Sequence, residues 1–146
     1  MYNGLVHLHS ALRWVILILL VISLVQAFTK NEKIAKTSLW LLIASHIMLL
    51  LGLFQYFNSE AVGFQMIERL GGFGNVMKDS FARFWVVEHF SVMILAIILI
   101  TVARGRAKKL KFGPAMWMYL IALILILAAV PWPFREGIGR PWFPGM

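Results

Sequence analysis

Residues 5–28 read LVHLHSALRWVILILLVISLVQAF, an apolar stretch in which one arginine is the only permanently charged residue. A helix that spans a bilayer needs about 20 consecutive, mostly apolar residues. Further runs of this length and character lie at about residues 38–57, 84–103 and 112–131. The sequence therefore predicts an all-α membrane protein, in which the whole 146-residue chain forms a single four-helix transmembrane domain.

The composition agrees with this class. Hydrophobic residues make up 61% of the chain and charged residues only 14%, which is outside the usual range of soluble domains. The net charge of +8 comes largely from two short connections between the apolar runs, which hold Lys30, Lys33, Lys36, Arg104, Arg106, Lys108, Lys109 and Lys111. Basic loops stay on the cytoplasmic side, so both termini should lie outside. Membrane sidedness explains the charge better than a nucleic-acid partner does, and the expected partner is the lipid bilayer.

The chain contains no cysteine. Disulfides, thiolate metal sites, iron–sulfur clusters and covalently attached haem of the c type are therefore excluded. Any haem would have to be held by histidine or methionine, and methionine in an apolar helix is far more often a packing residue.

Three histidines, His9, His46 and His89, each lie in a different apolar run. Polar groups at membrane depth are costly and usually functional. From the helix rise, His9 and His89 should lie roughly 6 to 7 Å below the outer surface and His46 roughly 12 Å below it. This pattern predicts that His89, with His9 or His46, ligates a haem iron. The alternative is that each histidine only forms a hydrogen bond to a neighbouring helix.

Arg13 lies one helical turn beyond His9 on the same face. A guanidinium facing lipid at that depth would be penalised, so we expect an acidic partner. Glu88, beside His89, is the acid at comparable depth, and a haem propionate is the other candidate. We therefore count Arg13 and Glu88 with the cofactor site. The alternative is that Arg13 extends towards the outer surface.

Small residues recur at heptad spacing beside two of the histidines. They are His89, Ala96 and Ala103 in the third run, and Ser38, Ser45 and Gly52 in the second. Such faces allow a flat ring or a neighbouring backbone to approach closely. In the fourth run Ala115, Tyr119, Ala122 and Ala129 indicate a packing face.

Two segments outside the runs are predicted to lie at the outer surface. Residues 58–83 contain four glycines and an amphipathic stretch, Val62, Phe64, Met66, Ile67 and Leu70, which is either a lid over the bundle or a loop resting on lipid. The tail after Pro131 is rich in proline and glycine and cannot continue a helix. Its aromatic residues suit the membrane interface: Trp132, Phe134, Trp142 and Phe143.

Several phrases together resemble small four-helix inner-membrane proteins of bacteria, especially Bacteroidetes-like ones, that are loosely named cytochrome b. These phrases are HSALRW at 9–14, HIMLLLG at 46–52, the segment 77–89, PWPF at 131–134 and RPWF at 140–143. The resemblance implies a bacterial inner-membrane location, non-covalent haem b and electron transfer. Well-characterised cytochromes b carry paired histidines on single helices, a pattern that this chain lacks.

The sequence leaves two classes of function open. The first is a b-type cytochrome that exchanges electrons with a quinol or a partner complex, with a quinone near the same histidines and Glu88 as proton acceptor. The second is a non-catalytic accessory subunit of a larger respiratory-type membrane complex or of a homo-oligomer, without its own haem. A small transporter and a histidine site for zinc or copper are less favoured, because no acid lies near the bilayer centre and the histidines differ in depth.

Overall fold

The computed structural model of the protein describes residues 2–59, 63–132 and 134–135. Long helices account for most of them: α1 Tyr2–Phe28, α2 Ile34–Asn58, α6 His89–Lys108 and α7 Phe112–Ala129. Between α2 and α6 lie the short helices α3 Gln65–Arg69, α4 Phe73–Lys78 and α5 Ser80–Arg83, and a π-helical turn, Phe84–Glu88, joins α5 to α6. The predictions for Val62, Trp142 and Phe143 concern residues outside the described ranges.

Four helical stretches are long and apolar enough to cross a membrane: His7–Phe28, Ile34–Asn58, Ser80–Lys108 and Phe112–Ala129. The prediction of an all-α, four-helix membrane bundle is confirmed. Large apolar side chains, including Ile18, Leu50 and Ile124, are exposed on its outside, as a lipid-facing surface requires. The chain is therefore a multi-pass membrane protein.

Each spanning helix extends beyond or matches the apolar run predicted for it, except that the fourth helix ends two residues early. The second begins at Ile34 and the third runs on to Lys108, where basic residues in the last turn favour the helix dipole. The third also begins earlier, at Ser80, because Asp79 accepts hydrogen bonds from the backbone N–H groups of Phe81 and Ala82. The fourth ends at Ala129 rather than at 131, since Pro131 has no N–H to donate.

Around the bundle α1 packs on α2, α2 on α6, α6 on α7, and α7 on α1. Because successive spanning helices run in opposite directions, every neighbour in this ring is antiparallel. Helices α1 and α6 therefore face each other diagonally across the bundle axis. We call the end with the basic connections the inner end and the opposite end the outer end, following the charge rule.

The inner half of the bundle is a closely packed core. Leu20 and Leu41 are fully buried there, together with Ala103 and Ala107 on α6 and with three residues from the predicted packing face of the fourth run: Ala115, Tyr119 and Ala122. Small residues allow helix backbones to approach closely, which supplies packing where no hydrophobic effect operates between helices.

The short helices form a second, smaller core at the outer end, from Met66, Val76, Ala82 and Val86. The chain enters this segment through Gly63, whose φ of 91° is readily adopted only by glycine. A Cβ there would meet the carbonyl oxygen of Tyr56 on α2. The amide of Phe64 donates to that same carbonyl at 2.9 Å, so the segment is fastened to the end of α2.

Candidate functional site

A cavity of about 330 Å³ lies in the outer half of the bundle. Binding sites for small molecules and cofactors usually measure about 300 to 1,000 Å³. All four spanning helices line the cavity, and His9, Arg13 and His89 are among the lining residues. The structure thus brings both of the level histidines, and the arginine one turn below His9, to one internal space.

The cavity changes in character along the bundle. On α6 and the turn before it, the lining extends from Trp85 to Ile100, which corresponds to about 20 Å of helix. Its outer end is rich in polar side chains, whereas isoleucines and Met48 line the inner end. Such a space suits a ligand that is polar at one end and apolar along the rest of its length.

His89 is held in one orientation by the end of α7. Its Nδ1 lies 2.8 Å from the carbonyl oxygen of Ala129. A carbonyl can only accept, so Nδ1 carries the proton in this contact and Nε2 carries the lone pair. Histidines that ligate metals almost always donate their other ring N–H in this way, which fixes the tautomer and the ring plane.

The same bond has a structural role. Because Pro131 ends α7, its last carbonyls need donors from outside the helix. Trp132 Nε1 donates to Leu127 O at 2.9 Å and Arg135 Nη1 to Ala128 O at 2.9 Å. His89 supplies the donor for Ala129. The first residues of the tail and one cavity histidine therefore cap the helix together. Trp132, which was expected at the membrane interface, binds the end of α7 through the carbonyl of Leu127.

His9 faces the cavity from the diagonally opposite helix, and Gly52 on α2 lies beside its ring. A Cβ on Gly52 would lie 3.5 Å from His9 Nε2. The glycine in the predicted small-residue stripe thus adjoins the nitrogen that a metal ligand would use.

Arg13 is buried, with 7% of its surface exposed. Its guanidinium carbon lies 5.2 Å from the ring centre of Trp14 and 5.7 Å from that of Trp132, within range of cation–π attraction. The predicted pairing with Glu88 is wrong. Glu88 is exposed and accepts a 3.0 Å hydrogen bond from Arg83 Nε. Since Glu88 precedes His89 by one residue, it points away when the histidine faces inward.

The outer end of the cavity is bounded by hydrogen bonds between elements. Tyr56 donates its hydroxyl to Val86 O at 2.9 Å, within the π-helical turn, and stacks on Phe90 with ring centres 4.1 Å apart. Gln55 donates to Leu5 O at 3.0 Å. A π-helical turn carries one extra residue and often occurs at functional sites. Here it directly precedes His89 and is tied to α2.

The sequence did not single out Gln55, Tyr56 and Ser59 as lining residues, but a signal for one of them was present. The stripe of Ser38, Ser45 and Gly52 continues at the same spacing to Ser59, which is buried. That stripe also marks the inward face of α2. His46 follows Ser45 by one residue, about 100° around the helix, and it is exposed on the outside of the bundle.

His46 does not line the cavity that His9 and His89 share. It lines a groove between α2 and α6 on the lipid side, and its Nδ1 lies 2.9 Å from Leu42 O on its own helix. Within the described ranges, no group of three His, Asp or Glu side chains is gathered as a metal-ion site would require. Two imidazoles on opposed helices remain the chemically distinctive feature of the cavity.

The chain matches no protein-family model, no curated protein sequence and no solved structure.

Proposed function

We propose that the outer-half cavity binds haem b, that His9 and His89 would hold it, and that the protein transfers electrons within a bacterial inner membrane. The observation that carries this proposal is the arrangement of these histidines. They come from α1 and α6, the diagonal pair of helices, and line one cavity from opposite sides. Two histidines that held one haem would have to reach it from opposite sides, and residues on a diagonal pair of helices are suited to that role.

The residues around the histidines fit such a group. His89 donates Nδ1–H to Ala129 O, which leaves Nε2 as the ligating nitrogen. Gly52 adjoins Nε2 of His9 and presents no side chain to it. Met93, Ile97 and Ile126 provide apolar walls, which bury a macrocycle and help to set its potential. Arg13 lines the same cavity and is suited to a carboxylate of the ligand. Haem itself would supply the one-electron redox chemistry.

A direct test is the visible spectrum of the purified protein, oxidised and reduced, together with haem content per chain. We expect near-stoichiometric haem with low-spin b-type bands. His9→Gln and His89→Gln should each abolish the low-spin spectrum, since glutamine retains a hydrogen-bond donor but does not replace an imidazole ligand. His7→Gln is the matched control, because His7 is exposed near the start of α1. Loss of the bands with His46→Gln, but not with His9→Gln, would contradict the proposed ligand pair.

A second candidate is an accessory subunit of a larger complex, without haem. The capping bond from His89 to Ala129 favours it, because this bond gives the histidine a sufficient structural reason to lie there. In that case the purified protein is colourless and folded. His89→Gln then preserves stability, because its amide can still donate to the carbonyl, whereas His89→Ala loses about 1 to 3 kcal/mol for the unpaired group.

A further inference from the structure

His46 is placed where a polar side chain is costly. It lies halfway along α2, so about 18 Å of helix separates it from either end, and it is exposed on the lipid side of the bundle. Polar residues within membrane spans normally face the bundle interior or one another. Together with Thr101 on α6 it lines a groove of about 210 Å³, whose remaining lining is aliphatic.

The hydrogen bonds within this groove give it a definite polarity. The Nδ1–H of His46 donates to Leu42 O at 2.9 Å, so Nε2 is an acceptor. The hydroxyl of Thr101 donates to Ile97 O at 2.8 Å, which leaves its oxygen able to accept as well. The two polar groups of the groove are therefore both acceptors. Lipid tails contain no donor for them, so a fitting occupant is a lipid-soluble molecule with an O–H group.

The groove is also close to the histidine cavity. Leu49, Ile94 and Ile97 line both spaces, so a single layer of side chains separates them. A molecule in the groove would thus lie beside the proposed haem, while its own entry from the bilayer stays open. Among lipid-soluble hydroxyl compounds, the class that can exchange electrons with haem is the isoprenoid quinols.

We propose that the groove between α2 and α6 binds the hydroxyl head of a membrane quinol, with His46 Nε2 as its hydrogen-bond acceptor. The choice of a quinol rests on the proposed electron-transfer function. The polarity of the groove has a further consequence: a quinol donates two O–H groups, whereas the oxidised quinone only accepts. The site therefore favours binding of the reduced form over the oxidised form.

The test uses the full-length protein in lipid nanodiscs, with ¹⁵N-labelled histidine and excess dithionite, so that neither haem nor quinol changes redox state. Duroquinol is titrated while the histidine ¹⁵N resonances are followed by NMR. We expect saturable movement of the His46 Nε2 resonance. The dimethyl ether of duroquinol has the same ring but no O–H group, and should bind about tenfold more weakly, which is the effect of one lost hydrogen bond.

Variants make the assignment specific. His46→Phe keeps a ring in the groove but removes the acceptor, and Thr101→Val keeps the shape of the side chain without its oxygen. Each should weaken duroquinol binding, about tenfold for His46→Phe, as measured by equilibrium dialysis against the nanodiscs. The matched control is Ile47→Phe, a lipid-facing neighbour on α2 that does not line the groove. If one variant fails to fold, the other still decides the question.

Several results would overturn the quinol site. They are equal binding of the quinol and its ether, movement of His9 or His89 resonances instead of His46, or occupation of the groove by a second copy of the chain in a His46-dependent dimer. The two proposals can fail separately. A colourless protein in which duroquinol still moves the His46 resonance would refute the haem but keep the binding site. Stoichiometric haem with an unmoved His46 resonance would refute the groove alone.

Discussion

In the inner half of the bundle the helices meet through alanines, whereas in the outer half the same helices leave a cavity between them. Ala103 and Ala122 are fully buried in the inner core, and their small side chains let the backbones approach. In the outer half, histidines, Arg13 and the polar end of α2 surround about 330 Å³ of space. The two halves therefore differ in role: alanines join the helices closely in the inner half, whereas the outer half holds a largely apolar cavity with two histidines and Arg13 in its lining.

The largest effect is expected from a substitution that overpacks the inner core. Ala103→Leu adds a branched side chain to the inner core, where Ala103 has no exposed surface. Overpacking of this kind costs about 1 to 3 kcal/mol. The measurement is the free energy of unfolding in mixed micelles. Ala11→Leu, at a lipid-exposed position on α1, is the matched control and should change stability by less than about 0.5 kcal/mol. Equal stability of the two variants would show that the inner half is not closely packed.

The same substitution one heptad closer to the outer end should have a different outcome. Ala96 lies on the same face of α6 as Ala103 but lines the cavity. The leucine of Ala96→Leu can extend into open space, so we expect a smaller loss of stability than for Ala103→Leu. If the cavity holds haem as proposed, the haem content per chain, measured by pyridine extraction, should instead fall about tenfold or more, because the added side chain occupies the site. A stable variant with full haem content would place the ligand elsewhere.

Gly52→Ala probes the contact between α2 and His9. Alanine in place of glycine within a helix is worth roughly 0.5 to 1 kcal/mol, and the new Cβ would make only an ordinary contact, 3.5 Å from His9 Nε2. We therefore expect a slightly more stable protein. An iron on Nε2 would be crowded by that methyl group, so the spectrum should move from low-spin towards five-coordinate, high-spin haem. Raised stability with an unchanged low-spin spectrum would remove His9 from the ligand pair.

Much of the architecture was accessible from the sequence because bilayer thickness and the basic loops impose simple length and charge rules. Helix rise also placed His9 and His89 at one level, and the structure places both at the cavity. The face of His46 could have been predicted too. It lies beside Ser45 and off the stripe of small residues that marks the inward face of α2.

Other features required the three-dimensional structure. The capping of α7 by His89 joins residues 40 positions apart, and the donors in the tail depend on how the chain turns after Pro131. The pairing of Glu88 was wrongly predicted because a match in depth says nothing about direction around the helix. Side chains one residue apart point to different sides, so an inward His89 turns Glu88 outward.

The smallest effect is expected at the ion pair between Arg83 and Glu88, neither of which lines the cavity. The carboxylate of Glu88 lies 3.0 Å from Arg83 Nε, with both side chains well exposed. Exposed ion pairs contribute about 0.2 to 1 kcal/mol and are screened by salt. Glu88→Gln should therefore change the free energy of unfolding by no more than this, with the difference shrinking at high salt. The haem spectrum and reduction potential should stay unchanged. A shifted reduction potential would mean that Glu88 acts on the proposed cofactor after all. An unchanged reduction potential confines the proposed site to the inward faces of the helices.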